Sequence, residues 1–330
     1  MNSFGRLFRV SIYGELHGVS IGVVVDGVKP GIKLSEEDFK ADLIRRKSGG
    51  KGTTPRIEAD EILIESGVFN GYTTGAPILL RFLNNNTKSK DYSNLVNHPR
   101  PSHADYTANL KYNGFNDYRG GGHFSGRLTL GIVAAGVVAK KMLEGVTFET
   151  KLINLGGETD SNKFNEILDN VIENKDSIGG IVSIKIKNVP QGLGEPYFDS
   201  LESTISHLLF SIGGVKGVEF GIGFDGANLK GSEYNDLIID KSGKTKTNNN
   251  GGINGGISNG NDILIRVAVK PTPSISIAQE TYNFKDDKVE DLIIEGRHDA
   301  AIILRAMVVL ENACAIALAD AKLIKNSYQF

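Results

Sequence analysis

Short apolar runs bounded by glycine or polar residues recur along the chain, and their length and β-branched content predict strands. They fall at 7–13 (LFRVSIY), 21–28 (IGVVVDGV), 61–69 (EILIESGVF), 76–82 (APILLRF), 180–189 (GIVSIKIKNV) and 262–271 (DILIRVAVKP). Helical patterns lie between them, at EEDFKADLIRRK after Ser35, 125–143, 163–174, 199–211 and the long run 299–325. Ser35 followed by Asp38 has the form of a capping box. Strands and helices mixed without strict βαβ alternation predict an α+β fold, with sheets layered against helices. No solenoid-type repeat and no Pro- or Ser-rich linker divides the chain, so 1–330 reads as a single domain.

A chain of 330 residues with 40% hydrophobic and 23% charged positions can bury a substantial core. The net charge of −2 gives no overall basic field of the kind nucleic-acid binding needs. The single cysteine, Cys314, excludes an internal disulfide and a multi-cysteine metal site. It lies in an apolar run and reads as a buried structural thiol, which fits a reducing, cytoplasmic setting. The first residues, MNSFGRLFRVSIYGE, lack the continuous apolar stretch of a signal peptide. The run 300–323 is long and apolar, but Arg305, Glu311, Asp320 and Lys322 interrupt it, so a buried helix is expected rather than a membrane span.

Glycine changes the picture. There are 40, clustered at 120–127 (GGGHFSGR), 211–226 (SIGGVKGVEFGIGFDG) and 247–260 (TNNNGGINGGISNG). Such stretches are either flexible linkers or ordered loops whose backbone N–H groups approach an anionic ligand. The third leads directly into a strand, which favours order. Four histidines sit in Gly- or Pro-rich surroundings: His17, His103, His123 and His298. Basic residues Arg45, Arg46, Lys47 and Lys51 gather at a helix end, and Arg100, Arg127 and Arg297 stand beside the histidines. The helix-end group fits a solvated face equally well. Convergent loops would instead form a pocket suited to phosphate and carboxylate. No H-E-x-x-H, cysteine pair or P-loop occurs, and GIGFDG lacks dinucleotide-fingerprint spacing. From motif physics alone the reading ends at an anion-binding pocket with histidine acid–base groups.

At these residues the chain resembles the chorismate synthase family over nearly its whole length. The matching blocks are GELHGVSIGVVVDGVKPG (14–31), DLIRRKSGGKGTTPRIEAD (42–60), SGVFNGYTTGAPI (66–78), RPSHADYTANLKY (100–112) and DYRGGGHFSGRLT (117–129). They continue with SIGGVKGVEFGIGF (211–224), NNGGINGGISNG (249–260), VKPTPSIS (269–276) and EGRHDAAIILRA (295–306). The resemblance implies a β-α-β sandwich core, a homotetramer and a 1,4-anti elimination of phosphate from 5-enolpyruvylshikimate 3-phosphate. It implies reduced FMN as cofactor, without net redox change. It also implies catalytic roles for His17, His103 and Asp299, and substrate contacts from Arg45, Arg46, Lys51, Arg100 and Arg127. The implied flavin contacts are His123, Phe124, Ser125, Gly213, Gly214, Gly255, Lys270, Pro271, Thr272, Pro273, Ser274 and Arg297.

No added reductase segment is evident, so an external source of reduced flavin is expected. Leu16 stands where the family most often has serine, His123 where it has arginine, and Leu128 where it has glutamate. Gly213 and Gly214 replace a frequent Asn-Ala pair. Two alternatives follow: a flavin- or anion-binding homologue without turnover, and a histidine metallohydrolase, for which the ligand spacings are missing. In HPRPSHADY (98–106), His98 reads as a bystander, while Pro99 and Pro101 stiffen the approach to Arg100 and His103. Asp105 either orients that histidine or fixes the turn.

Overall fold

The computed structural model describes residues 2–54, 59–84, 95–294 and 298–328. Its first part contains β1 (Ser3–Phe4), β2 (Arg9–Gly14), β3 (Ser20–Asp26), α1 (Lys40–Arg46), β4 (Ile62–Ile64), the short pair β5 (Val68–Phe69) and β6 (Tyr72–Thr73), and β7 (Ile78–Leu83). These build an antiparallel sheet of order β1-β2-β3-β7-β4. Ile21, Val23 and Val25 face Phe82, Leu80 and Ile78 in register, and all six are fully buried on one face. That alternation is the period of a half-buried strand.

The chain continues through α2 (Asp105–Lys111), α3 (Thr129–Met142), β8 (Thr147–Leu155), α4 (Phe164–Glu173), β9 (Gly180–Lys187), α5 (Leu201–Ser211) and β10 (Val215–Phe220). It ends with α6 (Gly231–Tyr234), β11 (Ile253–Asn254), β12 (Ile257–Ser258), β13 (Ile263–Val269), β14 (Gln279–Asn283), β15 (Lys288–Leu292) and α7 (Ile303–Ser327). The second sheet has the order β10-β13-β9-β8 and is also antiparallel.

Helices fill the space between the sheets. α3 packs on β3, β2 and β7, α7 packs on β8 and β9, and the two helices pack on each other. The result is the layered β-α-β sandwich expected of an α+β chain. Both helices are apolar nearly all round, as burial on every side requires. They come close at Gly136, where a Cβ would lie 2.3 Å from that of Asn312. The stretch Arg119–Met142 is long and apolar enough to cross a membrane by length and composition alone, but 72% of its 18-residue apolar window is buried inside the molecule.

The run 61–69 is not one strand. Gly67, with φ of 78°, turns the chain between β4 and β5. β8 and β10 lie outside the predicted strands. β8 alternates Glu149 and Lys151 outward, and β10 is embedded in the glycine-rich stretch. The 247–260 stretch is ordered. The Asp236 carboxylate accepts the Asn249 and Asn250 backbone N–H groups at 2.8 and 2.9 Å. The Asn248 side chain ties Gly252 to Asp262, with both bonds at 2.8 Å. Ser35 begins α1's entry as its capping box predicts, its N–H donating to Asp38 at 2.8 Å.

Candidate active site

Arg45 and Arg46 are consecutive on α1 and point in different directions, because successive helical residues are about 100° apart. Arg45 donates to Asp42 at 2.9 Å and to both Glu311 oxygens at 2.9 and 2.6 Å. Lys140 completes that network, reaching Asp42 at 2.6 Å and Glu311 at 2.7 Å. Burial opposes the charge on Glu311, but Arg45 and Lys140 outweigh it and hold the carboxyl below its usual range. The structure thus does not bring Arg45 to the other predicted anion-binding residues.

Arg46 is buried on the opposite side. Its Nε donates to the Thr129 hydroxyl at 2.9 Å and its Nη2 to the Gly126 carbonyl at 2.8 Å. Asp60 lies 3.6 Å from Arg46 and accepts from Arg127 at 2.6 Å. Arg127 also donates to Asn84 at 2.8 Å and to the Leu83 carbonyl at 3.1 Å. Arg305 donates to the Arg46 carbonyl at 3.0 Å and to Asp299 at 2.9 Å. Asp299 also accepts the Thr54 N–H at 2.7 Å. Among the described residues, the Arg46, Arg127 and Arg305 guanidiniums gather here around the Asp60 and Asp299 carboxylates. Burial, with the Arg305 and Arg127 charges, pushes the pKa of Arg46 down to about 9, leaving it charged at neutral pH. Lys51 is on the rim, 40% exposed at its side chain and paired with Asp169 at 2.7 Å.

The loop after Pro99 carries Arg100 and His103. Arg100 is buried and donates to Asp105 through Nε at 2.7 Å and Nη2 at 2.8 Å. Its Nη1 donates to the Ser274 hydroxyl at 3.0 Å. His103 Nδ1 is 2.6 Å from the same Asp105 carboxylate. Between them Ser102 adopts φ of 58°, an uncommon conformation for a non-glycine residue. Its carbonyl accepts from Lys270 at 2.6 Å, and the Lys270 N–H donates to the Gly214 carbonyl at 2.8 Å. Burial, with the nearby Lys216 charge, lowers the Lys270 ammonium below its usual pKa.

Gly120, Gly121 and Gly122 all have positive φ, and their lack of side chains decides how close the neighbours come. A Cβ on Gly120 would meet Leu16 at 2.2 Å and His17 at 3.2 Å, and one on Gly121 would meet the His103 ring at 3.4 Å. The triglycine turn therefore brings both predicted catalytic histidines to one loop. The Leu16 N–H donates to the Gly122 carbonyl at 3.2 Å, and a His123 ring nitrogen lies 2.7 Å from the Gly14 carbonyl. Leu16 is buried, so no hydroxyl stands at that position. A cavity of about 110 Å³ beside His103 is lined by Asp105, Ala108, Asp117, Tyr118, Gly121 and Phe124. A larger cavity, about 600 Å³, lies elsewhere against Arg6, Arg9, Asp26, Asp199 and Asp320. Its arginines are paired with Asp199 and Asp26.

The remaining predicted residues divide. Gly213, Gly214 and the turn Lys270, Pro271, Thr272, Pro273, Ser274 meet the Arg100 loop. The Thr272 hydroxyl is buried without a hydrogen-bond partner among the described residues, and a Cβ on Gly213 would meet nothing within 4 Å. A bound molecule with a polar rim fits that edge. Phe124 is exposed, and the Ser125 hydroxyl accepts the Arg127 N–H at 3.3 Å. Gly255 is not brought there. The adjoining Gly256 carbonyl accepts from Leu201 at the start of α5, whereas Gly214 follows the end of that helix, about 16 Å away. Arg297 lies outside the described residues. His98 faces the Thr281 carbonyl at 3.2 Å, away from the cluster.

Sequence reading missed Arg305, Asp60, Thr129 and Asn84. Arg305 carried a usable signal, an arginine interrupting an otherwise apolar helix six residues after Asp299.

The family model for chorismate synthase matches residues 8–323. A curated chorismate synthase from Chitinophaga pinensis is 56% identical over 327 residues, covering 99% of this chain and 98% of its own. One from Pyrococcus abyssi is 43% identical over 350 residues, covering 98% of each. A crystal structure of a chorismate synthase superimposes with a TM-score of 0.75 at 29% identity, over 98% of this chain and 93% of that one. With its motifs, its sandwich and its full length all in agreement, this chain belongs to the chorismate synthase family.

Proposed function

We propose that the protein eliminates phosphate from 5-enolpyruvylshikimate 3-phosphate to give chorismate, with reduced FMN required but not consumed. The observation that carries this reading is the gathering of Arg46, Arg127 and Arg305 beside the loop bearing Arg100 and His103, with Arg46 hydrogen-bonded to neutral oxygens of Thr129 and Gly126. A phosphate and carboxylate substrate suits such guanidinium donors.

In the elimination, the allylic C–O bond breaks and its electron pair leaves with phosphate. A ring proton is lost, and its C–H electrons form the new double bond. Arg46, Arg100 and Arg127, with Lys51 at the rim, hold the anionic groups and offset the growing negative charge. His103 donates a proton to the departing phosphate. His17 stands against the triglycine turn to polarise the flavin, and Asp299, held by Thr54 and Arg305, serves the proton removed from the ring.

Reduced FMN, when bound, supplies transient electron density that aids phosphate departure. The edge formed by His123, Phe124, Ser125, Gly213, Gly214 and Lys270 to Ser274 has the open glycine face and unsatisfied hydroxyl such a ligand needs. Arg45 belongs to the structural network, and Gly255 is left out of the flavin edge within one chain. The reduced flavin comes from an external source. The chain works in the cytoplasm as a homotetramer, and the exposed Phe115 and Phe198 suit subunit contacts.

The test is anaerobic incubation with photoreduced FMN and substrate. Phosphate release is expected, with none when the flavin is left oxidised. Flavin and substrate binding without release identifies a non-catalytic homologue.

A further inference from the structure

The immediate surroundings of His103 fix more than its position. Nδ1 lies 2.6 Å from Asp105 Oδ1 and 3.1 Å from Arg100 Nη2, and these neighbours make opposite demands. A guanidinium can only donate, and an ionised carboxylate can only accept. An unprotonated Nδ1 at 2.6 Å from a carboxylate would set two lone pairs against each other. A protonated Nδ1 satisfies the shorter contact, while Arg100 Nη2 has its own acceptor in Asp105 at 2.8 Å.

The carboxylate is well suited to this. Burial opposes its charge, but hydrogen bonds from Arg100 and His103 outweigh burial and hold the Asp105 carboxyl well below the usual range. Among the described residues, the other charged or titratable groups near the ring include Asp117 and Tyr118 across the small cavity, His17 at the triglycine turn, and Lys270, whose ammonium ends on the Ser102 carbonyl.

We infer that Asp105 is a positioning residue that keeps a proton on Nδ1 of His103 and leaves Nε2 as the ring atom that acts on the departing phosphate. This rests on the reading of His103 as the proton donor to phosphate. As an acid the ring carries protons on both nitrogens, and only an acceptor at Nδ1 accommodates that state. The Nε2 proton passes to a phosphate oxygen, and the N–H electron pair stays on Nε2. The phosphate leaves with the C–O electrons. The ring returns to its neutral Nδ1–H form with the bond to Asp105 intact. An asparagine at 105 would turn its NH₂ toward Nδ1, favouring the neutral Nε2–H tautomer, which is no acid at neutral pH.

The test pairs two readouts on protein with ¹⁵N-labelled histidine, using His103→Gln to assign the His103 signals. In the wild-type protein without ligands, above the titration of the ring, the ¹⁵N spectrum is expected to show the Nδ1–H tautomer. Asp105→Asn is expected to convert it to Nε2–H. In the anaerobic assay Asp105→Asn should lower kcat by about 10²–10⁴-fold. The substrate Kd should change by less than about tenfold, as one neutral acceptor replaces a charged one beside Arg100. Asp105→Glu is expected to restore the Nδ1–H tautomer and part of kcat.

An Nε2–H tautomer in the wild-type protein overturns the inference even if the variants fail to fold. So does wild-type kcat in a folded Asp105→Asn protein. An inactive wild-type enzyme that still shows the Nδ1–H tautomer would instead count against the proposed reaction, since the spectrum needs no turnover.

Discussion

Two charge clusters begin at neighbouring residues of α1 and differ in what their arginines bond. Around Arg45, two cations meet two carboxylates: Arg45 and Lys140 against Asp42 and Glu311. Around Arg46, the described residues gather Arg46, Arg127 and Arg305 with Asp60 and Asp299. The first is electrically complete and clamps α1, α3 and α7 together. The second adjoins the loop bearing His17 through Asn84, and its Arg46 hydrogen bonds end on neutral oxygens of Thr129 and Gly126. A guanidinium whose hydrogen bonds are not spent on carboxylates can take up a ligand anion. The difference teaches that the partners of a guanidinium, rather than the mere presence of arginine, separate a structural cluster from an anion site.

The contrast is easiest to break at the balanced cluster. Glu311→Gln leaves Arg45 and Lys140 short of a partner. It should cost about 1–3 kcal/mol of stability, since Asp42 still pairs both cations, read by urea denaturation, with turnover per folded molecule unchanged. Arg46→Ala should behave oppositely. It should lower kcat/KM by about 10²–10³-fold, while stability changes by no more than about 1 kcal/mol because the like-charge crowding by Arg127 and Arg305 is relieved.

Acid sharpens the comparison further. Asp42 and Glu311 have folded pKa values below their ordinary ones, against burial, because Lys140 and Arg45 hold their charges. Their contribution is therefore fully present above the unfolded carboxylate pKa of about 4 and is lost as pH falls through the folded values. Denaturation followed from pH 6 to pH 2, about the span of carboxylate titration, should show a shallower loss in Glu311→Gln than in the wild type. An equal slope would remove the balanced cluster from the pH response. The smallest effect belongs to Lys51→Ala. That ammonium is exposed and paired with Asp169, so stability should move by less than about 1 kcal/mol, with only a modest rise in KM.

The sequence makes the sandwich legible wherever apolar residues alternate, as at 21–25 and 263–269, because one buried face imposes a period of two. β8 escaped because its outward positions are charged, and β10 because glycines mask its pattern. At the candidate site, motif blocks singled out His17, His103, Arg46, Arg100, Arg127 and Asp299. Two things stayed hidden. Adjacent Arg45 and Arg46 look alike in sequence, and only helix rotation assigns them to different clusters. Asp60 and Arg305 are far from the residues they hold, and no local pattern links Asp60 to Arg127 or Arg305 to Arg46. The choice between orienting and turn-fixing roles for Asp105 likewise needed the 2.6 Å contact to His103 Nδ1.

The most direct test of the central claim is calorimetric titration of 5-enolpyruvylshikimate 3-phosphate into the wild-type, Arg45→Gln and Arg46→Gln proteins with FMN present. Losing one hydrogen-bonded charge at the anion site should raise Kd by about 10–100-fold in Arg46→Gln. Arg45→Gln should stay within about twofold of wild type, since its partners are protein carboxylates. Equal weakening in both variants, or a larger loss in Arg45→Gln, would contradict the account.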